Sequence, residues 1–187
     1  VYADGSYAAV DIARMADAEG ASALLVFPPN SMCMGGQLRP EMAFRHFQMI
    51  AEATDLPLIL FQYPQATGLG YPFATMEAIF DSVPSVVAIK DWCNDPMLHE
   101  KHIRNFQSRP RPVNVLTTHS SWLMASLSMG PAGLLSGAGS VIADLQVALF
   151  NAIQAGDLQR ARQVNDQIYP LAQAFYQAPF LDMHNRM

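Results

Sequence analysis

Lys90 is the residue whose type and position could do chemistry. It follows Val86-Val87-Ala88-Ile89, a run of β-branched and small apolar residues that reads as a strand buried on both faces, the look of a parallel-sheet strand. A lysine ending such a run either snorkels to solvent or holds its head in a cleft. In parallel α/β sheets the carboxyl ends of the strands are where ligands bind. Partial desolvation there disfavours the ammonium, lowers its pKa and leaves a neutral amine able to form a Schiff base with a carbonyl compound. Asp91, next along, would orient or neutralise the lysine, or cap the following turn.

Other residues of chemical type are less organised. His99 and His102 are three apart on a predicted helix, but no carboxylate or third ligand converges with them in the sequence. With His46 they read as surface or helix-face histidines, and no metal site is expected. Gly137-x-Gly139, opening a helix after a strand, could cradle a phosphate. As a dinucleotide fingerprint it fails, because Ile142 stands where the third small residue belongs and Asp157 caps a helix instead of ending a strand. Close backbone packing is the commoner use of such glycines. No nucleophile-elbow motif supports a Ser-His-Asp hydrolase.

The elements that must position Lys90 alternate in a helix, strand, helix, strand order. Strands are predicted at 21–27, 56–62, 85–91, 113–117 and 132–136. Helices are predicted at 7–19, from Pro40, from Phe73 to before Pro84, from Asp95-Pro96 to about Phe106, and from Ser120 to Gly130. Two longer helices follow, at 141–155 and 157–177. In the first helix Ile12, Met15 and Ala16 form the expected apolar face, with Ser6 as its N-cap; residues 1–6 read as a turn-rich lead-in. Strand spacings of 19 to 35 residues suit successive βα units, so the fold class is α/β with parallel strands.

Composition bounds the rest. The chain has 187 residues, 51% hydrophobic and 14% charged, which suits a packed core and excludes disorder. Its net charge of −5, with no basic run, argues against nucleic acid and against an anionic membrane surface as partners. The longest apolar runs fall short of the ~20 residues of a membrane span. Cys33 and Cys93 lack ligand or CxxC spacing, so reduced thiols in a cytoplasmic protein are expected. The chain opens on Val1 in what reads as a loop, with no signal peptide, and is taken as a piece of a longer protein.

The order of segments resembles the C-terminal five-eighths of the dihydrodipicolinate synthase / N-acetylneuraminate lyase family. The resemblance rests on Gly20-Ala21 before a strand ending at Pro28, and on Leu56-Pro57-Leu58-Ile59-Leu60 leading to Pro64 and Thr67-Gly68. It rests further on Val86 to Asp91, and on Gly133-Leu134-Leu135-Ser136 before a long helix with Gly156-Asp157 after it. It implies a partial (β/α)8 barrel, one domain over 1–187, with five parallel strands, flanking helices, and a C-terminal extension of two long helices from about 141 to 177. A complete barrel of this kind takes ~250 residues. The family's first three strands, with the segment that holds the pyruvate carboxylate, would lie upstream of Val1. Five strands alone would leave two open sheet edges and poor stability.

In function, the resemblance implies a class I aldolase-type carbon–carbon lyase acting on a 2-oxo acid such as pyruvate, with no metal or organic cofactor and a homo-oligomeric full-length protein. Lys90 looks like the Schiff-base lysine of the sixth barrel strand. The family's proton-relaying tyrosine aligns with Phe61, which cannot donate; Tyr63, two residues on and on the same strand face, is the expected substitute acid/base, or else a packed rim aromatic. The arginine usual in the synthases is Ala66 here, and the double tyrosine after the fourth strand is Pro29-Asn30. These departures put the synthase reaction itself in doubt. Ser136 and the main chain at Leu135 would line the ligand pocket. His119 and Thr118, ending the seventh strand, would read the distal end of the substrate or lie in a solvated loop. Two alternatives stay open: a catalytically silent barrel that binds small acids, and a phosphate-binding α/β enzyme using Gly137 to Ser140.

Overall fold

A computed structural model describes residues 1–179. The chain divides into two compact units, Val1–Val115 and Leu116–Met187. Five strands alternate with helices, giving the α/β class with parallel pairing that the apolar runs predict.

In the first unit, β1 (Leu24–Val26), β2 (Leu58–Gln62) and β3 (Val86–Asp91) pair in parallel, in that order. Each is followed by a helix: α2 (Pro40–Ala51), α3 (Phe73–Ser82) and α4 (Pro96–Phe106), with α1 (Ser6–Ala18) ahead of β1. Leu58, Leu60 and Ile89 from the sheet meet Phe47, Ile50, Met76, Ile79, Phe80 and Phe106 from the helices in a fully buried core. The pairing runs Leu24↔Leu58 and Val26↔Leu60, then Phe61↔Lys90 and Gln62↔Asp91. Between Leu58↔Val86 and Ile59↔Ala88 the register jumps, so Val87 has no partner there and is 38% exposed; the strand is not buried on both faces along its whole length. α4 starts where Asp95-Pro96 predicts: Asp95 Oδ1 accepts from the amides of Met97 and Leu98, at 2.9 and 3.1 Å.

Helix α1 turns a different face inward from the one its large residues indicate. Ala9, Val10 and Ala13 are buried, while Ile12 is partly exposed and Met15 lies in solvent. Small side chains let α1 sit close to α2, and an apolarity pattern weighted by side-chain size misses that. Ser6 is not a capping side chain; its Oγ lies 3.0 Å from His46 Nδ1 on α2. Gly68 in the loop after β2 is required: at φ +74° its backbone passes so near Cys33 that a Cβ would stand 2.3 Å from the Cys33 carbonyl oxygen.

In the second unit, the end of β4 (Asn114–Thr117, which begins in the first) pairs in parallel with β5 (Gly133–Leu134). α5 (Leu123–Ser128), α6 (Gly139–Gln154) and α7 (Leu158–Phe175) bury Leu123, Leu127, Leu149, Ala161, Val164 and Ile168 together. β5 is shorter than the 132–136 expected, and α6 breaks helical geometry at Ile142 (φ −126°, ψ 39°). Residues 180–187 lie outside the described residues. Among the described residues no helix is long and apolar enough to cross a membrane.

Candidate active site

At the carboxyl end of β3, strand alternation sends Lys90 to one face of the sheet and Asp91 to the other. Lys90 stands beside Phe61, and its Nζ lies 4.4 Å from the centre of that ring. Its burial holds the lysine pKa below the ordinary value, the direction a nucleophilic amine needs. Tyr63 shares this face, with its ring 4.4 Å from Phe61 and 5.4 Å from Trp92. Burial first, and the neighbouring Tyr2 phenol second, raise the Tyr63 pKa, so the hydroxyl keeps its proton at neutral pH and can give it. Phe27, directly after β1, meets Phe61 edge-on at 4.9 Å, and Tyr2 meets Phe27 at 5.5 Å.

Tyr2 belongs to this wall because the chain start lies along β1: the Val1 amine donates to the Leu25 carbonyl (2.5 Å) and the Phe27 amide to the Val1 carbonyl (3.0 Å). Asn30 Nδ2 then donates to Tyr2 Oη at 2.5 Å. Tyr2, Phe27 and Trp92 are absent from the residues singled out in the sequence. The lead-in carries no strand pattern, and a wall assembled across strands has no linear signature.

Asp91 does not pair with Lys90; it caps the following turn, through the Cys93 amide, and is held from α4 as well. It is fully buried, and its Oδ2 accepts from both His99 Nδ1 and His102 Nδ1 at 2.8 Å, while Oδ1 accepts from the Cys93 amide at 3.0 Å. The surface reading of these histidines is therefore wrong, and a carboxylate does converge on them. His99, His102, Ile103 and Phe106 share one face of α4, and that face is the buried one. Burial works to raise the Asp91 pKa, but the two imidazole donors outweigh it and hold the carboxyl well below the carboxylate range. His46 is buried too. Asp91, Cys93 and His99 bring three potential ligand atoms within 4.8 Å of one another. The carboxylate is already engaged, and burial followed by the Asp91 charge pushes the Cys93 thiol up, so that it keeps its proton; the set fits structural clamping better than metal binding.

In the second unit, His119 is buried, not solvated: its ring lies 4.2 Å from that of Trp122, and its Nδ1 is 3.1 Å from Thr117 Oγ1. Ser136 Oγ pairs with Ser120 Oγ at 2.5 Å and accepts from Gln146 Nε2 at 3.0 Å. The Leu135 amide is bound to the Thr117 carbonyl. The amides of Gly139, Ser140, Val141 and Ile142 all donate to carbonyls of residues 136–138, so they are not available to cradle a phosphate.

The model of the dihydrodipicolinate synthetase family matches residues 3–183, nearly the whole sequence. The chain belongs to that family. Among its curated relatives, the 4-hydroxy-tetrahydrodipicolinate synthase of Methanopyrus kandleri is 26% identical over 90% of this chain and 54% of its own length. That of Synechococcus elongatus is 34% identical over 73% of this chain and 44% of its own. The chain thus spans about half the length of the curated relatives it matches. The crystal structure of dihydrodipicolinate synthase from Aquifex aeolicus superposes with a TM-score of 0.82 at 20% identity, covering 98% of this chain and 60% of that one. The Thermotoga maritima enzyme gives 0.82 at 21% identity, covering 95% and 59%. The fold is accordingly a partial (β/α)8 barrel. Phe61, aligned with the relay tyrosine only by the resemblance, pairs with Lys90 across β2 and β3; Ala66 lies in a 3-10 turn (Gln65–Thr67), and Asn30 donates to Tyr2.

Proposed function

We propose that this chain carries the imine-forming part of a class I aldolase-type carbon–carbon lyase that acts on a 2-oxo acid such as pyruvate. The observation that carries the reading is the half-buried amine of Lys90, packed over Phe61 at a strand's carboxyl end with its ammonium disfavoured. Lys90 attacks the ketone carbon, and loss of water leaves an iminium that draws electrons from the adjacent carbon. Tyr63 gives and takes the protons that this requires. Leu135, Ser136 and His119 enter the proposal as substrate contacts on the family resemblance alone. Two cysteines outside any disulfide fit a reducing, cytoplasmic setting, and the acidic charge fits a small-molecule substrate better than nucleic acid or a membrane. A homo-oligomeric full-length protein follows from the resemblance only.

Borohydride reduction of the full-length protein with pyruvate, followed by peptide mass analysis, tests this. The expected result is a reduced pyruvate adduct on the peptide holding Lys90, absent in Lys90→Arg, which keeps the charge but forms no imine. The trapping rate rises with pH about a midpoint below that of a free lysine, since burial lowers the pKa. Saturable pyruvate binding without an adduct would instead favour a silent small-acid binder, the reading that Phe61 and Ala66 motivate. The phosphate-binding alternative loses support with the committed amides of 139–142.

A further inference from the structure

The sheet face around Lys90 is built of rings in two rows. The lower row runs across three strands as Phe27, Phe61 and Lys90, with 4.9 Å between the rings and 4.4 Å from Phe61 to the amine. The upper row is Tyr63 and Trp92, two residues further along β2 and β3, 5.4 Å apart. Tyr2 closes the wall on the β1 side. Phe27, Tyr63 and Trp92 are only half-buried.

Charge is scarce here. Among the described residues Lys90 is the only cation placed over a ring of this wall. Arg14, Arg39, Arg45, Arg104, Arg109 and Arg111 each bind a carboxylate or a main-chain carbonyl elsewhere. Against these rings themselves, a polar or anionic aldehyde would give up hydration for ring contacts alone. An aryl ring would gain offset and edge-on ring contacts, and the Tyr2 and Tyr63 hydroxyls could meet its substituents.

We propose that the compound meeting the Lys90 enamine is an uncharged aryl aldehyde. The protein joins it to a 2-oxo acid such as pyruvate, or splits the matching 4-aryl-4-hydroxy-2-oxo acid, with the Tyr2, Phe27, Phe61, Tyr63 and Trp92 wall holding the aryl group. This rests on the Schiff-base reading above. Lys90 Nζ bonds to C2 of the oxo acid, whose oxygen leaves as water. C3 loses a proton through Tyr63, and the resulting enamine pair forms the C3–C4 bond on the aldehyde carbon. The aldehyde oxygen takes a proton back from Tyr63. Water then adds to C2, the C2–N bond breaks, and Lys90 is free again; no oxidant or reductant is consumed.

The test gives the full-length protein pyruvate with benzaldehyde, glyceraldehyde or succinic semialdehyde, follows condensation products by mass spectrometry, and traps the pyruvate adduct with borohydride in parallel. Benzaldehyde is expected to give a kcat/KM about 10-fold or more above either other aldehyde, on the scale of one or two ring contacts. In Phe27→Leu and Trp92→Leu that preference ratio shrinks, and a ratio measured within one variant is insensitive to the folded fraction. An adduct at Lys90 with glyceraldehyde or succinic semialdehyde preferred, or an unchanged ratio in both variants, overturns the aryl assignment and leaves the Schiff-base reading standing. No adduct in the parent protein overturns both.

Discussion

At the scale of single residues, the contrast between Phe61 and Tyr63 carries the proposed mechanism. Phe61 occupies the place nearest the amine but offers only a ring face, which packs against Lys90 and donates nothing. Tyr63 offers the hydroxyl, held protonated by burial and by Tyr2. Tyr63→Phe keeps the packing and removes the proton carrier, so turnover should fall about 100-fold, the low end for general acid–base catalysis, while the Lys90 adduct still forms. Single-turnover kinetics beside borohydride trapping measures the split; unchanged turnover would make water the carrier. The placements of the lysine and the tyrosine were both legible, the first from a charge ending an apolar strand and the second from two-residue periodicity beside Phe61. Tyr2, Phe27 and Trp92 were not, because what unites them is adjacency across strands, which no local pattern encodes.

At the scale of elements, β3 and α4 are tied together behind the amine. One carboxylate oxygen of Asp91 receives two imidazole donors from α4, and His102 stacks on Phe106 at 5.2 Å with its Nε2 buried and without a hydrogen-bond partner. Asp91→Asn leaves two buried imidazoles sharing a weaker acceptor that also presents N–H groups. It should destabilise the protein by about 3 kcal/mol, the scale of a broken buried charge-assisted pair. Asp95→Ala removes only an exposed N-cap and should cost about 1 kcal/mol. Urea denaturation of both variants checks the ordering; equal losses would mean that the clamp holds β3 no better than a surface cap does. Element positions were mostly readable: the Asp95-Pro96 start of α4 and the three apolar strands of the first unit fall where apolar runs and turn residues put them. The buried side of α1 and of α4 was not. In α1 alanines outrank larger residues for close packing, and in α4 two histidines pass for polar surface until their carboxylate, on another element, is in place.

At the scale of the molecule, the family's barrel was recognisable because motif order and spacing survive where single residues have drifted, as at Phe61 and Ala66. What spacing does not carry is the electrostatic state of the buried groups, and His46 makes that measurable. Its ring is buried, with Ser6 Oγ of α1 3.0 Å from Nδ1 and the Phe27 backbone nearby. Burial lowers its pKa to about 4; the charge of the Val1 amine adds to the effect and the Phe27 backbone opposes it. An unfolded histidine titrates near ~6.5, so between these values the unfolded chain binds the extra proton and the folded one does not. Stability is therefore at its full value above about pH 6.5 and falls as the pH drops toward 4, by up to roughly 3 kcal/mol for this group alone. Asp91 adds little across most of that window, because its loss sets in only as the pH nears the ~3.9 of an unfolded aspartate. His46→Gln keeps a polar partner for Ser6 and removes the titration. Urea midpoints at pH 7 and pH 4.5 should then differ less in His46→Gln than in the parent, by about 2 kcal/mol once multiplied by the m-value. All other titrating groups are common to both proteins and cancel, so parallel pH dependences would show that His46 takes up its proton in the folded state as readily as in the unfolded one.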